Sequence, residues 1–455
     1  MVSEKKIRPA YAEGFQCIGS ACEDTCCQAW TVPVDEATYE KYQALPEGPL
    51  RVLVNASVVR TEVSGNAGTG SGKARPYAAI RMNEANECPL LTEEKLCRVQ
   101  KELGADLLSH ACATYPRIVN SVGGVEEKAL SFSCPEAVRV VLRAAQLPLR
   151  VDNDETTLDG DADVNSNSVP ENFWAIRGVV LRLVGNRSYP LWQRLFLMKL
   201  LTERLDAIER AEDRKDENGR SARAFLADFE IAVYKGSLRS AIEALPVDRL
   251  AQLDVVLRLA GLMLRRSIVT ERFQECVKAF TSGIGNGPGA TLESLAAKYA
   301  VAHDRYYAPF FERNPHMMEN ILLNTIFRCE FPYGKTGLLA GAKPDMSREF
   351  ALLAAQFALI RGLLIGVAGH HGSQFSEAHV VHTLQAASKH FEHHPEFLNM
   401  AHALLVESGM DGARGLAILL RNVEAEQAAE ELVPASISPS AIRVQGEFPQ
   451  IPLNV

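Results

Sequence analysis

Eight of the ten cysteines in this 455-residue chain fall before residue 135: Cys17, Cys22, Cys26, Cys27, Cys88, Cys97, Cys112 and Cys134. Scattered core thiols do not bunch as Cys17-x4-Cys22-x3-Cys26-Cys27. Disulfides need an oxidising compartment, to which this chain shows no route. Metal ligation is the chemistry that remains, because a turn of backbone brings closely spaced thiolates together on one centre. Structural zinc favours paired CxxC knuckles, and the sequence has none. Irregular spacing with widely separated later ligands suits an iron–sulfur cluster of the 4Fe–4S type better, with zinc as the alternative. The radical-type Cys-x3-Cys-x2-Cys pattern fails because position 29 is Ala. Adjacent Cys26 and Cys27 point differently, so one of them is expected outside the direct ligand set, and the spacing leaves open which four of the eight ligate. Cys276 and Cys329, isolated among apolar neighbours, read as small buried hydrophobes.

Two other motifs imitate sites. Gly65-Asn-Ala-Gly-Thr-Gly-Ser-Gly-Lys73 resembles a phosphate loop, but Ala67 stands where the first glycine is needed and Ala74 where Ser or Thr is needed. It reads as a flexible loop. His370, His371, His379, His382, His390, His393, His394 and His402 form a histidine-rich stretch. His379, His382 and His390 could share a helix face, yet no HExxH or carboxylate partner stands at a ligating offset, so exposed or capping histidines are expected.

The elements that must position these residues are mostly helices. The chain is too long for one ordinary core. Its 47% apolar and 23% charged residues mark a globular protein. A net charge of −8 disfavours nucleic acid as a partner. Met1–Phe15 is charged and lacks an apolar signal core, and the greasy stretch Ala351–Gly369 is interrupted by Gln356 and Arg361. That stretch is therefore expected as a buried helix pair or bent helix, with no membrane partner and a cytoplasmic location. The predicted fold is mainly α: an irregular cysteine-rich metal-binding N-terminal region followed by an α-helical domain. Residues 1–150 form the cysteine-rich region, 151–171 an acidic linker or loop, 172–435 the helical domain and 436–455 an extended tail.

Asp35 is read as the N-cap of a helix reaching Gln43, and Pro135 as the first turn of another that runs to Leu147. Helical periodicity recurs at Leu191–Ile208, Leu250–Leu264, Met317–Phe327 and Phe350–Val367. Arg51–Glu62 is the best strand candidate.

Phe15-Gln-Cys17-Ile-Gly-Ser-Ala-Cys22-Glu-Asp-Thr-Cys26-Cys27-Gln-Ala-Trp30 resembles the opening motif of the flagellin lysine-N-methylase family. Cys88-Pro-Leu-Leu, Leu96-Cys97, Cys112-Ala-Thr-Tyr-Pro-Arg117 and Ser133-Cys134-Pro-Glu136 follow in that family's order. Tyr189-Pro-Leu-Trp-Gln-Arg194, Met318-Glu-Asn320 and Phe331-Pro-Tyr333 extend the likeness over most of the chain. The cysteine pattern also resembles a broader group of zinc- or iron-chelating domains. The family likeness implies methyl transfer from S-adenosylmethionine to lysine ε-amines of flagellin. No Rossmann-type glycine fingerprint accompanies it, so the donor site would be unconventional. Lysine methylation needs a neutral amine, an in-line sulfonium and oxygens around the cationic donor. Glu319, Asn320 and Tyr333 are the expected suppliers. The competing reading is a metal-chelating or redox-sensing protein without transferase activity.

Overall fold

The computed structural model describes residues 6–28, 30–61, 77–123, 125–144, 149–152, 170–211, 214–265, 269–339, 343–392 and 394–421. The glycine-rich 65–73 segment, most of the 151–171 loop, His393 and the 436–455 tail lie outside them.

The N-terminal third carries strands β1 (Lys6–Pro9), β2 (Val32–Val34), β3 (Val58–Arg60), β4 (Ala78–Ile80), β5 (Arg117–Val122), β6 (Val125–Leu130) and β7 (Leu149–Asp152). Between them run short helices α1 (Glu36–Gln43), α2 (Pro49–Ser57), α3 (Arg98–Leu103), α4 (His110–Thr114) and α5 (Pro135–Arg143). The helical body follows: α6 (Phe173–Gly185), α7 (Leu191–Arg210), α8 (Ala222–Lys235), α9 (Arg239–Glu243), α10 (Arg249–Leu264), α11 (Glu271–Gly283) and α12 (Leu292–Ala302). It continues through α13 (Ala308–Arg313), α14 (Pro315–Arg328), α15 (Gly334–Gly337), α16 (Met346–His371), α17 (Glu377–Phe391), α18 (Pro395–Glu407) and α19 (Ala413–Leu420). The fold is mainly α.

One sheet has the order β5-β6-β1-β7, with β1 parallel to β6 and antiparallel to β7. The other, β2-β4-β3, is antiparallel. Apolar packing divides unevenly between them. A small core gathers Val32, Val34, Tyr42, Leu50, Val54, Val58, Ile80, Cys88, Leu90 and Val99. The β5–β6 hairpin and α5 instead contribute Val122, Leu130, Val138 and Leu142 to the large core of the helical body.

Asp35 caps α1 as expected, its carboxylate accepting from the Thr38 amide at 2.9 Å. Arg51–Glu62 is corrected: α2 occupies Pro49–Ser57 and only Val58–Arg60 is strand. Pro49 starts the helix, and Leu50, Val54 and Ser57 repeat at helical steps toward the small core. The β-branched Val52 that mimicked a strand residue faces outward, 69% exposed.

The expected helix pair or bent helix at Ala351–Gly369 is one continuous helix, α16. It is long and apolar enough to span a bilayer, but its apolar stretch lies buried in the body. Its glycines explain how neighbours approach so closely. A Cβ on Gly366 would lie 2.3 Å from the Phe280 ring, and one on Gly283 of α11 would lie 1.7 Å from the Gly366 carbonyl oxygen. Arg361, the charge inside this helix, donates to the carbonyls of Leu419 and Leu420, and Gln252 donates to Ile418, Leu419 and Arg421. These bonds satisfy the open C-terminal carbonyls of α19.

Candidate functional site

The cysteine strip is irregular because side chains, rather than a backbone ladder, fix its turns. A 3-10 turn at Gly19–Ala21 separates Cys17 from Cys22, and the Gly19 amide donates to the Cys17 sulfur at 3.5 Å. The Trp30 indole donates to the Cys26 carbonyl at 2.6 Å, and the Cys27 amide to Thr25 Oγ1 at 3.1 Å. Cys26 Sγ and Cys27 Sγ lie 3.8 Å apart, closer than the divergence expected of sequence neighbours.

The other thiols sit where backbone amides can reach them. Cys97 is the N-cap residue of α3 and Cys134 that of α5; neither sulfur makes a capping hydrogen bond, but the nearby amides of Val99 and Gln100, and of Glu136 and Ala137, favour the thiolate form. The Leu90 amide serves Cys88, the Asp24 amide serves Cys22, and the Ser109 hydroxyl serves Cys112. Such bonds stabilise a thiolate, and they recur around metal-bound sulfur.

Burial works against them. It raises Cys22 and Cys97, pushes Cys112 up to about 11 and Cys134 up to about 12. The bond with Cys27 drives Cys26 well above the usual thiol range. The same bond lowers Cys27, but the contact with Cys88 and burial outweigh it and push Cys27 up to about 12. Cys88 alone of these is lowered, by its bond with Cys27. Crowded thiols of this kind lose their protons when a cation neutralises them together. Among the described residues, no three or more His, Cys, Asp or Glu side chains gather closely enough to hold a single metal ion. Mononuclear zinc asks for four donors about 2.0–2.3 Å from one point. The gathered metal site expected of these cysteines is therefore not seen among the described residues.

Beneath the strip lies a polar layer that sequence reasoning missed. Lys389 of α17 donates to Asp24 Oδ2 at 2.8 Å and to the Thr25 carbonyl at 2.9 Å. Gln385 also donates to Asp24, and Arg139 of α5 pairs with Glu23. Deeper in, Glu392 accepts from Ser131 Oγ at 2.6 Å and pairs with Arg328 at 3.3 Å. Ser133 shares hydrogen bonds with Ser131 and with Tyr115 OH, and Tyr115 stacks on Trp30. Asp24 is embedded in the cysteine motif, which was the available signal. Lys389 and Glu392 carried none. A small apolar cavity beside Arg328, lined by Phe132, Phe357 and Phe391, holds about 10 Å³. That is the space of one water, too little for a methyl donor.

Among the described residues, Glu319, Asn320 and Tyr333 share no hydrogen-bond or ion-pair partner. Glu319 is buried and pairs with Arg187 and with Arg194, the latter at 2.9 Å. Asn320 donates to the carbonyls of Val141 and Ala144 at 3.0 and 3.1 Å, tying α14 to the end of α5. Its buried Oδ1 has no hydrogen-bond partner among the described residues. Tyr333 stacks on Phe173 at 5.5 Å, and burial raises its phenol above the usual range. Next to it, Glu349 packs so tightly on Gly334 that a Cβ there would lie 2.4 Å from its carboxyl carbon. Burial pushes Glu349 up to about 7.

The histidines meet only in part. His371 and His379 stack at 3.7 Å, His379 completes the capping box of α17 with Ser376, and His390 is buried against Phe273. Cys276 is buried and Cys329 half-buried.

Residues 177–419 match the family described as the FliB lysine N-methylase C-terminal domain. The chain belongs to that family. The match runs from α6 into α19 and so covers most of the helical body of this FliB-family chain. The chain is 33% identical over 135 residues to the flagellar biosynthetic protein FliU of Salmonella muenchen, an alignment spanning 30% of this chain and 75% of that protein. It is also 33% identical over 135 residues to lysine-N-methylases of Salmonella typhimurium and Salmonella choleraesuis, spanning 31% of each. The chain thus covers about a third of those two relatives. No solved structure matches this FliB-family chain.

Proposed function

We propose that this protein methylates lysine ε-amines of flagellin in the cytoplasm, with S-adenosylmethionine as donor and an iron–sulfur cluster held by its N-terminal cysteines. The observation that carries this reading is the family match over 177–419 in a chain that also bears the ordered cysteine motif. The names of the relatives, lysine-N-methylase and flagellar biosynthetic protein, support lysine methylation on a flagellar protein.

Cys27, Cys88, Cys97 and Cys112, which border the small core, would hold the cluster. When bound, it supplies the positive charge that keeps these thiolates ionised and completes a core too small to stand alone. Methyl transfer itself requires the substrate ammonium to lose a proton. The freed lone pair then attacks the sulfonium methyl, giving a methylammonium and a neutral thioether. Glu349, pushed up to about 7 and still partly open to solvent, has the proton affinity to accept that first proton near neutral pH. Tyr333 lies one residue from the Gly334 backbone on which Glu349 packs, and its hydroxyl is the proposed oxygen beside the donor. Glu319 and Asn320 act as positioning residues, since their bonds fix α14 against α5 and the Arg187 turn.

The test is anaerobic purification, iron and sulfide analysis, and incubation with flagellin and S-adenosylmethionine followed by intact mass. Mass steps of one methyl on flagellin are expected. An unshifted flagellin mass with the metal sites fully loaded overturns the proposal.

A further inference from the structure

We infer that α17 is an acid-released latch on the cysteine strip: protonation of His379 and His390 removes two bonds that seat this helix, and the seated helix fastens the strip. The inference depends on neither the metal nor the methylation reading.

Hydrogen bonding fixes both rings in the neutral form. A backbone N–H can only donate, so a ring nitrogen that faces one carries no proton. His379 Nδ1 accepts from the amide of Ser376, the N-cap of α17, at 3.1 Å. His390 Nε2 accepts from the amide of Thr270, the N-cap of α11, at 3.3 Å. The single ring proton of His390 sits on Nδ1 and goes to the Ala386 carbonyl at 2.9 Å. A second proton on either ring would point at an N–H donor. Both places are also helix N-termini, where a cation is disfavoured.

His382, on the same helix, is built the other way. Its Nε2 donates to the Arg272 carbonyl at 2.9 Å and stands 3.7 Å from Glu275 of α11. Protonation of His382 leaves that bond intact.

The charges around the two rings do not offset a new cation. His379 has His370 and His371 of α16 beside it, the latter stacked at 3.7 Å, with His382 and Glu377 on its own helix. His390 has Glu271 and Arg272 of α11, Lys389 and Glu392 next to it in the chain, and His394 at the N-cap of α18. Glu377 already pairs with Arg143 of α5, Glu392 with Arg328 of α14 and Lys389 with Asp24, while Glu271 is exposed. Burial, then the neighbouring histidines, hold His371 and His379 below the usual imidazole range.

The histidines and the strip's fastening lie on one rigid rod. Arg272 Nε donates to Gln385 Oε1 at 2.8 Å, and the Gln385 amide donates to Asp24 and to the Ser133 carbonyl. Lys389 holds Asp24 and the Thr25 carbonyl. A shift of α17 off α11 therefore draws Gln385 and Lys389 away from the strip. Below the ordinary imidazole value of about 6.5, an opened form binds protons that the seated helix excludes, so the latch opens on the acid side.

The experiment follows hydrogen–deuterium exchange by mass spectrometry in the full chain, purified without oxygen, with labelling times scaled for intrinsic exchange. Wild type, His379→Gln, His382→Gln and His390→Gln are compared between about pH 7.5 and about pH 5.5, which brackets the imidazole range. On acidification, wild-type α17 and residues 15–28 are expected to gain at least about tenfold in exchange relative to α7, the effect of one displaced pKa unit. His379→Gln turns Ser376-x-x-His379 into a Ser-x-x-Gln capping box that does not titrate, and should shrink that gain. His390→Gln should shrink it too, and His382→Gln should leave it unchanged. If His390→Gln fails to fold, His379→Gln against His382→Gln decides alone. A wild-type profile that is flat, or in which α7 opens in step with α17, overturns the inference. So does a His379→Gln gain equal to that of wild type, or an equal loss of gain in His382→Gln.

Discussion

Lys389 Nζ sits 2.8 Å from Asp24 Oδ2, with both side chains less than one-tenth exposed, so a cation from the helical body is buried against the cysteine strip. Removing one partner of such a pair leaves the other charge stranded, typically at about 3–5 kcal/mol. Lys389→Met is expected to lower the urea midpoint and to open residues 15–30 to protease. Asp24→Asn in the same chain should recover most of the loss. Equal stability of Lys389→Met and wild type would show that the clamp contributes nothing.

Arg177 and Glu127 form a second buried pair, joining α6 to β6, and Arg177 also donates to the Ile326 carbonyl at 3.1 Å. Its guanidinium lies over the Phe173 and Phe327 rings. Arg177→Ala should cost about 3–5 kcal/mol, since it strands Glu127 and empties a packed site. Arg177→Lys should recover only part of this, because a point charge cannot serve the carboxylate and the carbonyl together. Chemical denaturation of both variants measures it.

Gly283 and Gly366 meet backbone to backbone between α11 and α16. A methyl at Gly283 collides with a carbonyl that has nowhere to move, so Gly283→Ala is expected to destabilise by at least about 3 kcal/mol. Gly261, with open space around its Cβ position, is the control: Gly261→Ala should be neutral or slightly stabilising. Thermal melts of the two variants should separate clearly.

Glu349 carries a pH signature. Its carboxyl titrates near 4.5 when unfolded and near 7 in the fold. Between those values the folded chain keeps a proton that the unfolded chain has released, so stability falls as pH rises through this window. The cost is complete above about pH 7. Glu349→Gln should therefore gain roughly 2–3 kcal/mol at pH 8 and almost nothing at pH 4. The same variant should lose methylation most where Glu349 is normally ionised. A pH-independent difference in denaturation midpoint would rule out the buried carboxyl.

The helical body was legible because its apolar residues repeat at helical steps, as at Leu195, Met198, Leu201, Leu205 and Ile208 in α7. The β5–β6 hairpin was missed, although two alternating runs flank Gly123 and Gly124 in the sequence. Cysteine spacing left open which of the eight ligate. It could not show that Cys88 and Cys97 flank a separate small core, because that depends on the long-range pairing of β2 with β4. Glu349 and Lys389 look like ordinary helix-surface residues. Only tertiary packing buries them.

The buried apolar stretch of α16 also bears on how the chain is made. As it leaves the ribosome, its apolar surface would attract membrane-insertion and chaperone machinery. Its partners α7, α10, α11 and α12 are synthesised first, so most of its sheath is waiting when it emerges, and α17 to α19 close the remaining side afterwards. Gene order thus doubles as an assembly order, and moving α16 ahead of α11 by circular permutation would remove that protection.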